Sequence, residues 1–564
     1  MVFGNWWLRI LALSLGILFF VVSSFAEKAP YASFARDATS APPTDHYDYI
    51  IVGGGTAGCP LAATLSAAAR VLLLERGDLP YNNPNVTQIS GFLKSLADTS
   101  PTSASQLFIS TDGVFNHRAR VLGGGSAINA GFYTRASTEY VRRAGWDPRL
   151  VNESYAWVES KVAYRPQIMQ WQAAVRDGLL AAGVAPYNGI TYEHLIGTKV
   201  GGSIFDEKGI RHTAADLLEY ADPSKITVYL HATVQRILFR TSPGEKPKAY
   251  GVLFKDSKGY NHVAYLNSGG RNEIIVSAGA MGSPQMLMLS GIGPARQLRA
   301  HGIEVVMEQE SVGQGMSDNP MNALIIPSSR PVEISLVQVV GISNIGSYIE
   351  AASGFFELSS LHQIVGDYAH VANQSMDAFI MRMRANENQT SANTKVGVIL
   401  QKIMGPYSSG YMEVESRDPN VNPRVTFNYF KDSRDLERCV GGMEILRRVV
   451  ESRAVSEFLY PLTSFESLKR FVLSVPINLR PKHVAATYSM EHYCRDTVMT
   501  LWHYHGGCHV DRVVDPDYRV LGVDSLRVVD GSTFYYSPGT NPQATVMMLG
   551  RYVGQKILQE RNPE

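Results

Sequence analysis

Two short apolar runs enclose the first regular unit of the chain. Tyr49–Val52 (YIIV) and Val71–Leu74 (VLLL) are continuous and aliphatic, which is typical of strands that are buried on both faces of a sheet. The run CPLAATLSAAA lies between them, and its small apolar residues favour a buried helix. The pattern therefore predicts a strand–helix–strand unit and an α/β fold.

The apolar pattern returns later and then changes. Glu273–Val276 (EIIV) predicts another buried strand, followed by a glycine turn and a helix that begins at Pro284. From about residue 320 to residue 490, runs such as SGYMEVES and PRVTFNYF alternate apolar and polar residues, as antiparallel strands do. Helical stretches are interleaved with them. We therefore predict a second, α+β lobe with an antiparallel sheet, and a last helix over residues 542–558.

These patterns divide the chain into five ranges. We expect a targeting segment at 1–26, a linker at 27–45, a nucleotide-binding domain at 46–320, a substrate-binding domain at 321–494 and a C-terminal return to the first domain at 495–564. Within the first domain, residues 78–115 and 132–190 are predicted to be excursions toward the second lobe.

The turn after the first strand has the spacing G-x-G-x-x-G. Gly53 allows a tight turn, Gly55 lets a pyrophosphate approach the backbone, and Gly58 lets the helix pack close to the strand. Glu75 ends the second strand, where a carboxylate can accept hydrogen bonds from an adenosine ribose. The unit predicts a dinucleotide site, and the motif leaves NAD and FAD open. A second glycine-rich element, RVLGGGSAINAG at 120–131, is either another close approach to a ligand or an ordinary turn.

Three histidines and a cysteine lie within residues 502–509 (WHYHGGCH). They could form a zinc site, although the spacing matches none of the common zinc patterns. They could be structural, which we favour for His505 and His509. They could also be catalytic, because imidazole accepts protons near neutral pH. In an extended stretch His503 and His505 would share one face, and the periodicity does not choose between them.

Charge and hydropathy exclude some classes of protein. With 52 basic and 51 acidic residues and no basic run, the chain gives no support to nucleic-acid binding. Residues 1–26 carry one charge, Arg9, before an apolar stretch at 10–22, and small residues precede a possible cleavage point after Ala26. We predict a cleaved secretory signal rather than an uncleaved anchor, since a bilayer span needs about 20 apolar residues. No later stretch is long and apolar enough to form a stable membrane span.

Secretion agrees with two further features. The chain has four N-x-S/T sequons, which we predict to be glycosylated at Asn85, Asn152, Asn373 and Asn388. It has four cysteines, of which Cys59 lies in the buried helix of the first unit. Cys439 and Cys494 both fall in the second lobe, and we predict a disulfide between them.

Several long motifs, taken in order, resemble one family. YDYIIVGGGTAG with LLLERG, RVLGGGSAIN, GAMGSPQMLMLSGIGP and the final WHYHGG, VVDGSTF and NPQATVMMLGRY segments resemble the glucose–methanol–choline (GMC) oxidoreductases. Within that family the chain is most similar to the plant HOTHEAD-type and (R)-mandelonitrile lyase-like branch. The resemblance implies an FAD-binding, Rossmann-like domain of the GMC type, with FAD rather than NAD. We expect no metal, because the spacing of the histidine cluster matches none of the common zinc patterns. It also implies a small-molecule partner, an alcohol or hydroxy-lipid substrate.

The resemblance also assigns residues to the cofactor. Thr56 and Ala57 would lie at the pyrophosphate, and Glu75 and Arg76 at the adenosine. Beyond these and the motif glycines, the cofactor-binding residues implied are Val121, Gly125, Asn129, Ala130, Gly131, Phe132, Val234, Trp502, Asp530, Gly531, Pro542 and Gln543. Some family members attach FAD through a histidine, whose position here is Ile128. We therefore expect a non-covalent flavin.

The family's H-x-x-G pattern selects His503 as the catalytic base, with Asn541 as its partner. In the oxidoreductases the histidine takes the hydroxyl proton of the substrate while hydride passes to flavin N5, and the partner steadies the alkoxide. HOTHEAD-type proteins are associated with long-chain ω-hydroxy fatty acids. The lyases carry a second histidine where this chain has Asn541, so the resemblance favours a secreted alcohol oxidoreductase over a hydroxynitrile lyase. A non-catalytic extracellular flavoprotein is a third alternative.

Overall fold

The computed structural model describes residues 33–357 and 395–561. The predicted signal at 1–26 and the sequons at Asn373 and Asn388 lie outside the described residues. Within them, no helix is long and apolar enough to cross a membrane.

A six-stranded, fully parallel sheet forms the core of the first domain. In spatial order its strands are Ala35–Asp37, Ile226–Leu230, Val71–Leu74, Tyr49–Val52, Glu273–Val276 and Leu526–Val528. The three strands predicted from apolar runs lie side by side at its centre, where almost every side chain is buried. Helix Gly58–Leu65 follows the first of them, and helix Gln543–Arg561 packs against it. The predicted strand–helix–strand unit is confirmed.

Part of the predicted linker is built into sheets. From residue 33 onward, Ala35–Asp37 pairs in parallel with Ile226–Leu230 at the edge of the six-stranded sheet. Thr44–Tyr47 joins a second sheet, whose other strands are Thr233–Arg240, Lys248–Lys255 and Asn261–Leu266. The described part of 27–45 is therefore not a free linker, because its backbone N–H and C=O groups complete two sheet edges.

The second lobe is organised by a seven-stranded sheet in which every pair but one is antiparallel. Its strands in order are Met499–Thr500, Pro320–Pro327, Lys395–Ile403, Ser347–Glu357, Val339–Ile342, Gly197–Val200 and Tyr187–Ile190. The predicted antiparallel sheet is confirmed. Two of its strands come from the first half of the chain, so the second predicted excursion extends through Val200.

Helices and small sheets cover these two sheets. The remaining α-helices are Pro84–Thr87, Phe92–Ala97, Thr138–Arg143, Pro148–Val162, Gln170–Ala181, Gly279–Leu289, Ala295–Ala300, Ser433–Glu451, Arg453–Ser456, Phe465–Ser474 and Met490–Asp496. The remaining strand pairs and triplet are Ser105–Ile109 with Phe115–Ala119, Phe132–Tyr133 with Gly202–Ser203, Ile292–Gly293 with Met307–Glu308, and Gln314–Met316 with Gly410–Glu413 and Arg424–Thr426.

Two local predictions can be compared directly with the structure. Cys439 and Cys494 form the predicted disulfide, which links helix Ser433–Glu451 to helix Met490–Asp496. The helix predicted to begin at Pro284 begins earlier, at Gly279. Gly279 has a φ of +82° and donates its N–H to Asp530, so the turn and the first helical residue coincide.

Candidate active site

One cavity of about 550 Å³ lies where the carboxyl ends of the parallel strands meet the seven-stranded sheet. Residues just beyond the ends of four parallel strands line it, including Gly53, Glu75, Ser277 and Asp530. Open α/β sheets bind their ligands at this edge. The cavity is therefore where the dinucleotide motif predicts a cofactor.

The glycine turn is built with no space for side chains. Gly53 has a φ of +104°, and a Cβ there would lie 2.5 Å from the carbonyl oxygen of Ser277. A Cβ on Gly58 would lie 2.0 Å from the carbonyl oxygen of Gly53. A Cβ on Gly55 would meet nothing closer than 3.7 Å, so its backbone is open to a ligand. Gly58 does not line the cavity, and its role is to bring the helix N-terminus to the turn.

Glu75 is held in place by the backbone on both sides. Its two carboxylate oxygens accept hydrogen bonds from the N–H groups of Gly54 (3.0 Å) and Gly77 (2.8 Å). Burial raises the pKa of Glu75, and these N–H groups and Arg76 oppose that rise. The neighbouring Arg76 donates to the carbonyl of Ala119, and its Nη1 is buried without a partner. This end of the cavity thus offers a fixed carboxylate beside a guanidinium.

The second glycine-rich element packs directly on the first. Gly124 has a φ of +58°, and a Cβ there would lie 2.7 Å from the Cα of Gly55. Beyond the turn, the amide of Asn129 donates to Gln543 (2.8 Å). Gln543 in turn donates to the carbonyl of Phe132 (2.6 Å), which ties this element to the last helix. The element is therefore a wall of the cavity rather than an ordinary turn.

The structure brings the predicted site residues together. With Gly58 excepted, every residue predicted to bind the cofactor or to act in catalysis lines this one cavity. They are Gly53, Gly55, Thr56, Ala57, Glu75, Arg76, Val121, Gly125, Asn129, Ala130, Gly131, Phe132, Val234, Trp502, His503, Asp530, Gly531, Asn541, Pro542 and Gln543. Their individual roles remain predictions.

His503 and Asn541 lie in the wall of the cavity near the seven-stranded sheet. Burial lowers the pKa of His503 well below its usual value, and Lys402 and His505 lower it further. The imidazole is therefore neutral at pH 7 and can accept a proton. Nδ1 of His503 and Oδ1 of Asn541 are buried without hydrogen-bond partners.

A buried ion pair that the sequence analysis missed adjoins them. Lys402 also lines the cavity, and its ammonium group contacts the carboxylate of Glu350. Both side chains are almost completely buried. Burial raises the pKa of Glu350, while Lys402 and Asn541 lower it. A single lysine in the apolar run VGVILQKI and a single glutamate in YIEAAS were the available signal.

The other two histidines of the cluster do not line the cavity. The stretch is not a regular strand, because Trp502 has a left-handed φ of +60°. Residues 499–504 line the cavity, with His503 and Tyr504 among them, and His505 does not. His503 and His505 therefore do not share one face toward the cavity. Nδ1 of His505 contacts the carbonyl of His503 (2.9 Å), and His509 stacks on Tyr535. Within the described residues, no group of three or more His, Cys, Asp or Glu side chains could hold a metal ion.

The unpartnered polar atoms fit an FAD that spans the cavity. Nη1 of Arg76 lies at the Glu75 end, and the unpartnered atoms of Trp502, His503 and Asn541 lie at the other. Buried polar groups are normally hydrogen-bonded, so these atoms match a long ligand with polar groups at both ends. The open backbone at Gly55 and the adjacent helix N-terminus suit a pyrophosphate between them.

Comparison with known proteins agrees with this geometry. The family models for GMC oxidoreductases match residues 47–321 and 406–550. The protein HOTHEAD of Arabidopsis thaliana is 52% identical over 532 residues, which cover 91% of this chain and 88% of that protein. (R)-mandelonitrile lyase 2 of Prunus dulcis is 41% identical over 546 residues, which cover 94% of this chain and 90% of that protein.

The fold is also found among solved structures. Formate oxidase of Aspergillus oryzae superimposes with a TM-score of 0.72 at 18% identity, covering 92% of this chain and 99% of that chain. At that identity the likeness supports the fold alone. The matches to the family models and the similarity to the plant relatives show that the chain belongs to the GMC oxidoreductase family and that its cofactor is FAD.

Proposed function

We propose that this protein oxidises an alcohol at its CH–OH group, with His503 as the base and Asn541 as the hydrogen-bond partner of the substrate oxygen. The observation that carries the proposal is the placement of these two residues in the wall of the cavity that the FAD motifs line. His503 is neutral, because burial lowers its pKa, and it has a buried ring nitrogen without a partner.

In this mechanism the cofactor accepts the hydride, and side chains of the protein accept the proton and stabilise the substrate oxygen. Non-covalently bound FAD supplies the hydride acceptor. The imidazole of His503 takes the proton of the substrate hydroxyl. The amide of Asn541 donates a hydrogen bond to the oxygen as negative charge develops there, and Lys402 adds a nearby positive charge. Asn541 also lies near the Lys402–Glu350 pair, since it lowers the pKa of Glu350.

The lining of the cavity supports an apolar substrate. Helix Phe92–Ala97 and the seven-stranded sheet contribute apolar side chains on the His503 side. They include Phe92, Leu96, Met321, Ile325, Phe355, Val398 and Leu400, and Leu336 adds to them from the segment before strand Val339–Ile342. Such a surface favours alcohols with a long aliphatic chain or an aromatic ring. We therefore propose a hydroxy-lipid, such as a long-chain ω-hydroxy fatty acid, ahead of a small polar alcohol.

Anaerobic mixing with candidate alcohols tests the proposal. An ω-hydroxy fatty acid or an aryl alcohol should bleach the flavin absorbance, and His503→Ala should abolish the bleaching while bound FAD remains. His509→Ala is a matched control, because His509 stacks on Tyr535 and does not line the cavity. Full activity of His503→Ala would refute the assignment of the base.

The same sample distinguishes the alternatives. A hydroxynitrile lyase would release cyanide from mandelonitrile without bleaching the flavin, and the 41% identity to (R)-mandelonitrile lyase 2 is the reason to include this assay. Asn541 in place of the second histidine of those lyases weighs against that outcome. Inertness in both assays would favour a non-catalytic flavoprotein.

We also propose that the protein is secreted. The disulfide between Cys439 and Cys494 suits an oxidising compartment, and Asn85 and Asn152 are exposed to glycosylation. N-terminal sequencing of the secreted protein should begin at Glu27, and an endoglycosidase should lower its mass. Retention of residues 1–26 in the mature protein would contradict the cleavage.

A further inference from the structure

The residue before the proposed base has an unfavourable backbone conformation. Trp502 has a φ of +60°, in the left-handed region that bulky side chains rarely adopt. Such residues persist only where their surroundings hold them, and they concentrate at functional sites. Residues 499–504 all line the cavity, and Trp502 is the residue among them with a left-handed φ, directly before the proposed base.

Two hydrogen bonds hold the amide groups on either side of the Trp502 Cα. The N–H of Trp502 donates to the hydroxyl of Thr500 (2.8 Å), and the N–H of His503 donates to the carboxylate of Asp318 (2.9 Å). The Thr500 hydroxyl itself donates to the other oxygen of Asp318 (2.7 Å). Asp318 is therefore linked to both amides, to one directly and to the other through Thr500.

Asp318 is itself fixed. Its side chain is 1% exposed, and it also accepts a hydrogen bond from the hydroxyl of Tyr429 (2.5 Å). The backbone of the preceding Ser317 pairs with His505 through two hydrogen bonds, so Asp318 starts from a position that is already set relative to the cluster. Burial raises the pKa of Asp318 to about 6, against the opposing effect of its hydrogen bonds. Burying a carboxylate costs free energy, and groups whose pKa is shifted in this way are concentrated at functional sites.

We propose that Asp318 is a positioning residue that holds Trp502 in its left-handed conformation and thereby aims His503 into the cavity. Asp318 does not line the cavity, so it acts on the reaction through the backbone of residues 500–503. The kinetic consequence rests on the proposed role of His503. The structural consequence does not.

The kinetic test uses the FAD-loaded, full-length protein and Asp318→Asn. This variant keeps the size of the side chain and loses one acceptor and the charge. The rate of flavin bleaching at saturating alcohol should fall roughly 10- to 100-fold, because small misplacements of a catalytic group cost about that much. KM and the affinity for FAD should stay unchanged. Asp496→Asn is the matched control, since Asp496 is also buried and accepts a backbone N–H, that of His483.

A wild-type rate in Asp318→Asn would overturn the proposal, and so would an equal loss in Asp496→Asn. Should Asp318→Asn fail to fold, Thr500→Val removes the hydroxyl that accepts the Trp502 N–H and donates to Asp318, and leaves the direct bond from the His503 N–H to Asp318. The same fall in rate is expected. A wild-type protein that no alcohol bleaches would instead refute the proposed function.

A crystal structure of Asp318→Asn then decides the positioning role without any activity. Trp502 should leave the left-handed region and His503 should move. An unchanged φ at Trp502 with an unmoved His503 would overturn the inference.

Discussion

At the scale of single residues, the local environment determines what each histidine of the 502–509 segment can do. His503 lies in the cavity wall, His505 contacts the carbonyl of His503, and His509 stacks on Tyr535. Burial lowers the pKa of all three. Sequence identifies the three imidazoles, and only the environment separates the proposed base from the two histidines that do not line the cavity.

His505 makes stability depend on pH. Burial lowers its pKa from 6.5 to about 4, so between these values the unfolded chain takes up a proton that the folded chain does not. The stability that His505 contributes is therefore complete above pH 6.5 and is lost as the pH falls toward 4. Between pH 7 and pH 5 the loss is about 2 kcal/mol, from ~1.4 kcal/mol per pKa unit.

Comparison of wild type with His505→Gln isolates this effect from other titrating groups. The difference in melting temperature between the two proteins should shift at pH 5 in favour of the variant, relative to pH 7. His46→Gln is the control, because it makes the same substitution at an exposed histidine. A constant difference for His505→Gln would contradict the argument.

At the scale of elements, the hydrophobic pattern predicted the central strands and the last helix, because neighbouring residues determine them. The runs YIIV, VLLL and EIIV became central strands of the parallel sheet, and the last helix begins at Gln543, one residue from its predicted start. The glycine motif was also predictable, because the tight turn and the close packing depend on glycine itself.

Features that depend on strand register could not be predicted. Lys402 and Glu350 meet because Lys402 pairs with Tyr348 and Glu350 pairs with Leu400 on adjacent strands, two positions apart on one face. Asp318 reaches His503 because Pro320 pairs with Thr500 at the start of its strand. These residues are far apart in the sequence, and only the register of the paired strands shows that they are neighbours.

The contact between the first helix and the glycine turn can be tested with one methyl group. Gly58→Ala would place its Cβ 2.0 Å from the carbonyl oxygen of Gly53, which is backbone and cannot move without opening the turn. We expect FAD affinity, measured by fluorescence titration, to fall at least about tenfold, equivalent to ~1.4 kcal/mol. Gly270→Ala is the matched control, since a Cβ there meets nothing within 4 Å. Wild-type affinity in Gly58→Ala would show that the turn adapts.

At the scale of the whole molecule, two sheets with different roles share one cavity. The parallel sheet contributes the residues after its strands, and the seven-stranded sheet contributes Lys402 and the apolar wall. The chain crosses between them several times, and its last part adds Met499–Thr500 to one sheet and Leu526–Val528 to the other. His503 lies between these two strands in sequence, so the proposed base stands where the two lobes are joined.

The disulfide lies wholly in the lobe of the seven-stranded sheet. Its effect on stability can therefore be measured separately from FAD binding. Cys439 and Cys494 are 55 residues apart, and closing a loop of that length is worth about 4 kcal/mol in the chain-entropy account. Cys439→Ala/Cys494→Ala should therefore lower the melting temperature while FAD affinity stays unchanged, since none of the residues predicted to bind the cofactor lies in that loop. Cys508→Ala removes a buried thiol without breaking a cross-link, and it should cost less. Loss of FAD together with the disulfide would show instead that the two lobes unfold as one unit.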